Sequence, residues 1–220
     1  GGADLEFPHH TNEIAQSEAK TGQTFANYWM HNGFVNIDNV KMSKSLGNFI
    51  TVHDALKTID GQVLRFFFAT QHYRKPINFT EKAVRDAETN LKYLKNTYEQ
   101  PFTGEVDPAD LQGFVDKFIA AMDEDINAAN GITVVFELAK WINSGHYNQD
   151  VKDALTKMLE VFGVVFVEEV LDADIEALIA ERQEARAKKD FARADAIRDE
   201  LAAQGIKLLD TKEGVRWTRD

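Results

Sequence analysis

Between Thr80 and Phe162 the apolar residues recur every three or four positions, in four runs separated by polar breaks. The first run is Ala83, Val84, Ala87, Leu91, Leu94 and Tyr98, and the second is Leu111, Phe114, Val115, Phe118, Ile119 and Met122. The third is Ile132, Val135, Phe136, Leu138, Ala139 and Ile142, and the fourth is Val151, Leu155, Met158, Leu159 and Phe162. That period puts each set on one face of a helix. A single amphipathic helix is marginal in water, so each face needs a partner. Four of them with short connections predict a helical bundle. The breaks carry their own signals. Residues 100–108 hold Pro101, Gly104 and Pro108 and read as a linker. Asn127, after the acidic stretch Asp123-Glu124-Asp125, reads as a helix N-cap.

The flanking sequence is less regular. Pro8 suits the first turn of a helix running on through Ile14, Ala15 and Ala19. Phe34, Val35 and Ile37 suggest a short strand, and Asp38-Asn39 a turn. Thr51 and Asp54 resemble a capping box for a short helix to Ile59. A second helix, from Gln62 to Gln71, carries Val63, Leu64, Phe66, Phe67 and Phe68, an apolar density that means core. The last fifty or so residues form a separate unit. A basic helix runs from Ile175 to Lys188, and Asp190 caps another over Phe191–Ala203, stopped by Gly205. Ile206–Asp210 and Val215–Thr218 alternate like strands around a turn at Lys212-Glu213-Gly214. The expected parts are therefore 1–75, 76–168 and a small α+β module at 169–220.

Composition narrows the function. With 44% hydrophobic and 28% charged residues, the 220-residue chain reads as a soluble globular protein. No apolar run approaches the roughly 20 residues of a membrane span. It has no cysteine, hence no disulfide and no thiolate ligand of its own, which fits the cytoplasm. No Met leads the sequence, and Gly1-Gly2-Ala3 reads as a truncated start. A net charge of −11 argues against non-specific nucleic-acid binding, which rests on lysine and arginine. Local patches still matter. Arg182, Arg186, Lys188, Lys189, Arg193 and Arg198 outnumber Glu184, Asp190 and Asp195 in one stretch.

Three constellations carry chemistry. Lys41-Met42-Ser43-Lys44-Ser45-Leu46-Gly47-Asn48 combines two mobile cations with hydroxyl and loop-amide donors. This suits a phosphate clamp, and equally a solvated loop. His9 and Glu13 stand four apart, the spacing of half a metal site or of a surface hydrogen bond. The C-terminal basic stripe, with Phe191 and Trp217, suits stacking of unpaired RNA bases or ordinary helix ion pairs.

Residues 41–48, KMSKSLGN, resemble the second signature of class I aminoacyl-tRNA synthetases. Residues 1–17 resemble the segment upstream of that signature in cysteinyl-tRNA synthetases. Residues 27–37 and 122–128 resemble the next block and the bundle of the same family. Residues 186–217 resemble the family's anticodon-binding domain. The resemblance implies a mainly α fold: the remnant of a Rossmann-like catalytic domain, a helical bundle and an anticodon module. It implies a parent enzyme that activates L-cysteine with ATP and magnesium and transfers it to the cysteine tRNA, as a cytoplasmic monomer. Lys41 and Lys44 would be catalytic, and with Ser43 and Ser45 would bind ATP. His9 and Glu13 would be two of four zinc ligands, the others being cysteines that this chain lacks. Thr11 departs from an acidic position between them. Arg186, Asp195, Arg198 and Asp210 would contact anticodon bases, and Phe191 would take a stacking position that is tryptophan in some relatives. Asp4, Tyr28, Trp29 and His31 would line the adenylate pocket, with packing at the sheet edge the alternative for Tyr28 and Trp29. Arg74 and Lys75 would touch tRNA phosphates, with solvated loop charges the alternative. Without the family's HIGH-type motif the chain alone is expected to be inactive and to hold zinc weakly or not at all. Two other readings remain: a cysteine ligase acting on an amino-sugar, against which the C-terminal module argues, and a non-catalytic tRNA-binding or partner-interaction protein.

Overall fold

The computed structural model describes residues 1–166, 173–211 and 214–219. Helix α1 spans Thr11–Thr21 and ends at Gly22, whose φ of 65° supplies the left-handed stop. Pro8–His10 already carry helical backbone ahead of it, so Pro8 stands in the first turn as its residue type suggests. Phe7 is extended (φ −136°, ψ 134°), because the residue before a proline is pushed out of the helical region. Strand β1, Val35–Ile37, turns through Asp38 and Asn39 into β2, Val40–Lys41. Both turn residues have positive φ (49° and 66°), the conformation a two-residue hairpin needs and one that Asp and Asn tolerate.

Short helix α2, Val52–Ala55, starts where the Thr51 hydroxyl accepts the Asp54 N–H at 3.0 Å. Helix α3, Gly61–Ala69, is capped by Asp60 and buries Val63, Leu64, Phe66 and Phe67. Strand β3, Ile77–Phe79, was not expected from the sequence. It pairs parallel to β1, giving the order β2-β1-β3. Phe79 meets Phe67 edge to face at 5.5 Å, which seats β3 against α3.

The bundle is α4 (Glu81–Tyr98), α5 (Pro108–Asp123), α6 (Ala128–Asn143) and α7 (Gln149–Val161). Each starts at a side-chain cap: Thr80, Asp107 with Pro108 behind it, Asn127 and Asn148. Leu94, Val135, Leu138, Ile142, Val151 and Leu155 are fully buried. Each large apolar side chain buried this way favours the fold by about 1.5–3 kcal/mol. The 100–108 linker is pinned to the bundle: Thr103 N–H donates to the Tyr147 carbonyl at 2.7 Å. Buried Tyr147 donates its hydroxyl to the Tyr98 carbonyl at 2.6 Å. The expected division at 75/76 runs through a continuous core that joins Val63, Phe66 and Phe67 to the bundle helices. Residues Gly1–Phe166 form one compact unit and Val167–Asp220 another.

In the second unit, α8 (Ala173–Ala187) packs on α9 (Phe191–Ala203). Strands β4 (Ile206–Thr211) and β5 (Gly214–Arg219) form an antiparallel hairpin with Leu208 opposite Trp217. Its core is Ile175, Ile197, Leu201 and Ile206. Asp190 caps α9 by accepting the Arg193 N–H at 3.0 Å. The expected turn residues Lys212 and Glu213 lie outside the described residues.

Candidate functional site

The lysine-serine loop leaves β2 at Lys41. Asn48 closes it from both ends: its Oδ1 accepts the Ser43 N–H at 2.9 Å, and its Nδ2 donates to the Lys41 carbonyl at 3.3 Å. Inside this clasp the Ser43 hydroxyl accepts the Leu46 N–H at 3.3 Å and starts a single 3-10 turn, Lys44–Leu46. Gly47 ends that turn with φ 69°. Ser43 and Ser45 hydroxyls lie 3.1 Å apart, so both point into one space. Lys41 and Lys44 are exposed. Lys41 Nζ stands 3.7 Å above the Phe34 ring and 3.6 Å from the Asp4 carboxylate. An exposed pair of that kind is worth at most about 1 kcal/mol, so a phosphate can displace Asp4. The loop thus assembles two cations and two hydroxyls around a turn. Asn48, the residue that closes it, was missed as functional; asparagine's habit of bonding nearby backbone was the available signal.

His9 Nε2 and Glu13 Oε1 are 3.9 Å apart, both exposed. Two ligands of one tetrahedral zinc stand roughly 3.3 Å apart, so a small side-chain rotation would suit the pair to one ion. Two donors do not fill a tetrahedral site. Among the described residues no three His, Cys, Asp or Glu side chains gather where one metal ion would reach them. Beside the pair, His10 Nδ1 lies 2.8 Å from His31 Nε2, with the Trp29 ring parallel to His31. The sequence did not reveal this contact, because its partners are 21 residues apart. Tyr28 is 92% exposed, which rules out packing at the sheet edge.

Arg74 is already committed. Its Nε and Nη2 donate to the two Asp125 carboxylate oxygens at 2.5 and 3.0 Å, and the Tyr73 hydroxyl donates at 2.7 Å. These bonds, Arg74's first, hold the Asp125 carboxyl down at about 2 and push the Arg74 guanidinium up. Lys75, next to it, is exposed.

On α9, Phe191, Asp195 and Arg198 fall at i, i+4 and i+7, one stripe beside the buried stripe of Ala194, Ile197 and Leu201. Phe191 is 62% exposed, an open ring at the head of the helix. Arg198 pairs with Asp195 at 3.3 Å and with Asp199 at 3.7 Å. Arg186 is exposed on α8. Arg193 reaches across to Glu181 at 2.8 Å and ties the two helices together. Trp217, by contrast, is half-buried against the hydrophobic core of this unit, so Phe191 is the more open of the two rings. Asp210 is placed in β4 opposite Val215, but its side chain lies outside the described residues.

Comparison with known proteins accounts for this arrangement part by part. Residues 1–89 match the tRNA synthetases class I (C) catalytic domain, 117–168 the DALR domain, and 168–217 the cysteinyl-tRNA ligase anticodon binding domain. All 220 residues align with proteins named cysteine–tRNA ligase, at 85% identity in Streptococcus pneumoniae and 82% in Streptococcus mutans. The chain spans about half the length of these curated relatives, 49% in each case. A solved LeuRS–tRNA–LeuAMS complex from Agrobacterium radiobacter has a similar fold over 76% of this chain and 27% of its own, with a TM-score of 0.51 and 15% identity. The lysine-serine loop, the bundle and the two-helix hairpin unit thus each have a counterpart in one group of enzymes, and the chain belongs to the cysteine–tRNA ligase family.

Proposed function

We propose that this chain supplies the phosphate loop and the tRNA-reading parts of a cysteine–tRNA ligase, which activates cysteine with ATP and transfers it to the cysteine tRNA. The observation that carries the reading is the clasped loop, with exposed Lys41 and Lys44 flanking the Ser43 and Ser45 hydroxyls. Phosphoryl and adenylyl chemistry asks the protein mainly for position and charge neutralisation. Lys44 follows the departing pyrophosphate, Lys41 assists once released from Asp4, and the two hydroxyls orient non-bridging oxygens. In this reading 1–75 is the remnant of the catalytic domain, 76–168 the bundle and 169–220 the anticodon-binding domain.

His9 and Glu13 would hold one side of a zinc ion, which in the bound state would supply a Lewis acid for the substrate thiolate. Their own contribution is an imidazole nitrogen and a carboxylate four residues apart at the start of α1. With half a ligand set and one wall of an ATP site, the chain alone is inactive. Phe191, Asp195 and Arg198 offer a ring, a carboxylate and a guanidinium on one stripe, the groups that unstacked bases require. Arg186 and Asp210 complete the proposed anticodon contacts.

The test is titration of pyrophosphate into the chain, followed through the backbone amide shifts of residues 41–48. We expect saturable shifts there that disappear in Lys44→Ala. Shifts that are absent, or that persist unchanged in Lys44→Ala, contradict the assignment of the loop.

A further inference from the structure

The turn between α5 and α6 adopts a backbone that its sequence disfavours. Asp125 (φ 57°) and Ile126 (φ 53°) are consecutive left-handed residues. Aspartate tolerates that region, but a β-branched residue there is an outlier. Ile126 is 50% exposed, so burial does not compensate it. Such a conformation persists only where its surroundings fix it. Here the Met122 carbonyl accepts the Ile126 N–H at 3.0 Å, and Asn127 caps α6. The third restraint is long-range: the Asp125 carboxylate, bound by Tyr73 and by both donors of Arg74, 52 and 51 residues away.

The loop that Asp125 grips is itself wedged against the small sheet. Gly33 N–H donates to the Tyr73 carbonyl at 2.7 Å. A Cβ on Gly33 would sit 2.4 Å from the Lys75 carbonyl group, so the two backbones touch. Ile77 N–H then donates to the Phe34 carbonyl at 2.8 Å and opens the β1–β3 pairing. On the other side of β1, Met42 N–H donates to the Val35 carbonyl at 2.9 Å. Met42 lies between the two lysines of the loop. A continuous set of hydrogen bonds and close contacts therefore joins the α5–α6 turn of the bundle to the base of the lysine-serine loop.

We propose that Asp125 is a positioning residue: its grip on Tyr73 and Arg74 sets the pose of the strand pair that presents Lys41 and Lys44, and so ties that loop to the helical bundle. The consequence for catalysis rests on the phosphate-loop reading above; the mechanical coupling does not. Asp125 touches no reacting group. A movement of the α5–α6 turn reaches the phosphate loop only while the grip holds.

The test is amide hydrogen exchange on the 220-residue chain with three variants. Asp125→Gly removes the carboxylate and suits the left-handed backbone. Ile126→Gly relaxes the same turn and keeps the carboxylate. Arg74→Gln breaks the grip from the other side, should a glycine in the turn unfold it. We expect the Gly33, Ile77 and Met42 amides to exchange about tenfold faster or more in Asp125→Gly and Arg74→Gln, as loss of charge-assisted hydrogen bonds implies. In Ile126→Gly they stay at wild-type rates, and the α6 core amides of Val135 and Leu138 are unchanged throughout. Wild-type rates at Gly33 and Met42 in Asp125→Gly overturn the proposal. So does acceleration there that is matched in the α6 core, since that is general destabilisation. If the exchange pattern holds but pyrophosphate leaves residues 41–48 unmoved, the coupling stands and the phosphate reading falls.

Discussion

Asp125 shows how one side chain can make a fold sensitive to acid. Its carboxyl sits at about 2, below the ordinary 3.8, because Arg74 and then Tyr73 hydrogen-bond to the ionised form. A depressed carboxyl favours the folded state above its unfolded value and loses that contribution as pH falls through its folded value. The stability difference between wild type and Asp125→Asn should therefore be constant above about pH 5 and shrink between about pH 4 and 2. Denaturant midpoints across that range check it, and a difference that does not vary with pH contradicts it. Gly33 carries a second residue-scale expectation. Its φ is not left-handed, so it is the touching Lys75–Pro76 backbone that forbids a side chain. Gly33→Ala should cost about 1–3 kcal/mol, the usual range for overpacking, read from chemical denaturation. Neither effect was legible in the sequence. Arg74 read there as a possible phosphate contact, because its carboxylate partner is 51 residues away. Lys41, Lys44, His9 and Glu13 stand in local strings, so the sequence alone raises their proposed roles, and the structure adds the clasp around the loop and the 3.9 Å His9–Glu13 separation.

At the scale of elements, the legible features were those written in short-range terms. The caps Thr51, Asn127 and Asp190 act where their residue types indicate, each within three residues of the N–H it accepts. Replacing Asp190 by Ala should cost about 1 kcal/mol of α9 stability, seen as earlier melting of the second unit with its amides as reporters; no change would show that the cap is idle. The four bundle periods were also legible, with one exception in detail. Ile119, on the apolar face of α5, is 50% exposed. It lines an open cleft of about 400 Å³ with Val115, Phe118, Met158 and Val161, where α5 and α7 leave a gap. Periodicity identifies a face but not how tightly its partner closes on it. Strand β3 escaped notice because the pairing that makes it a strand is not local. Its parallel pairing with β1 joins positions about 40 residues apart. The start of the first helix was legible because Pro8 opens it locally, with Phe7 extended just before it.

For the whole molecule, charge and architecture pull in opposite directions, and that opposition is informative. A chain of net charge −11 repels a polyanion at long range, yet it presents basic and aromatic groups on one helical stripe. Binding of the kind proposed for this stripe would be specific and local, with few phosphate contacts to steepen its salt dependence. No helix among the described residues is long and apolar enough to cross a membrane. The role proposed for residues 169–220 is to read bases. Its most direct test is binding of this chain to a cysteine tRNA and to the same tRNA with its anticodon changed, across a salt series. We expect a loss of more than about 1 kcal/mol for each altered base, as direct base contacts give, and a similar loss in Arg198→Ala for the unaltered tRNA. Equal binding of both tRNAs with a steep salt slope would mean backbone contact alone, and would contradict the roles given to Asp195, Arg198 and Asp210.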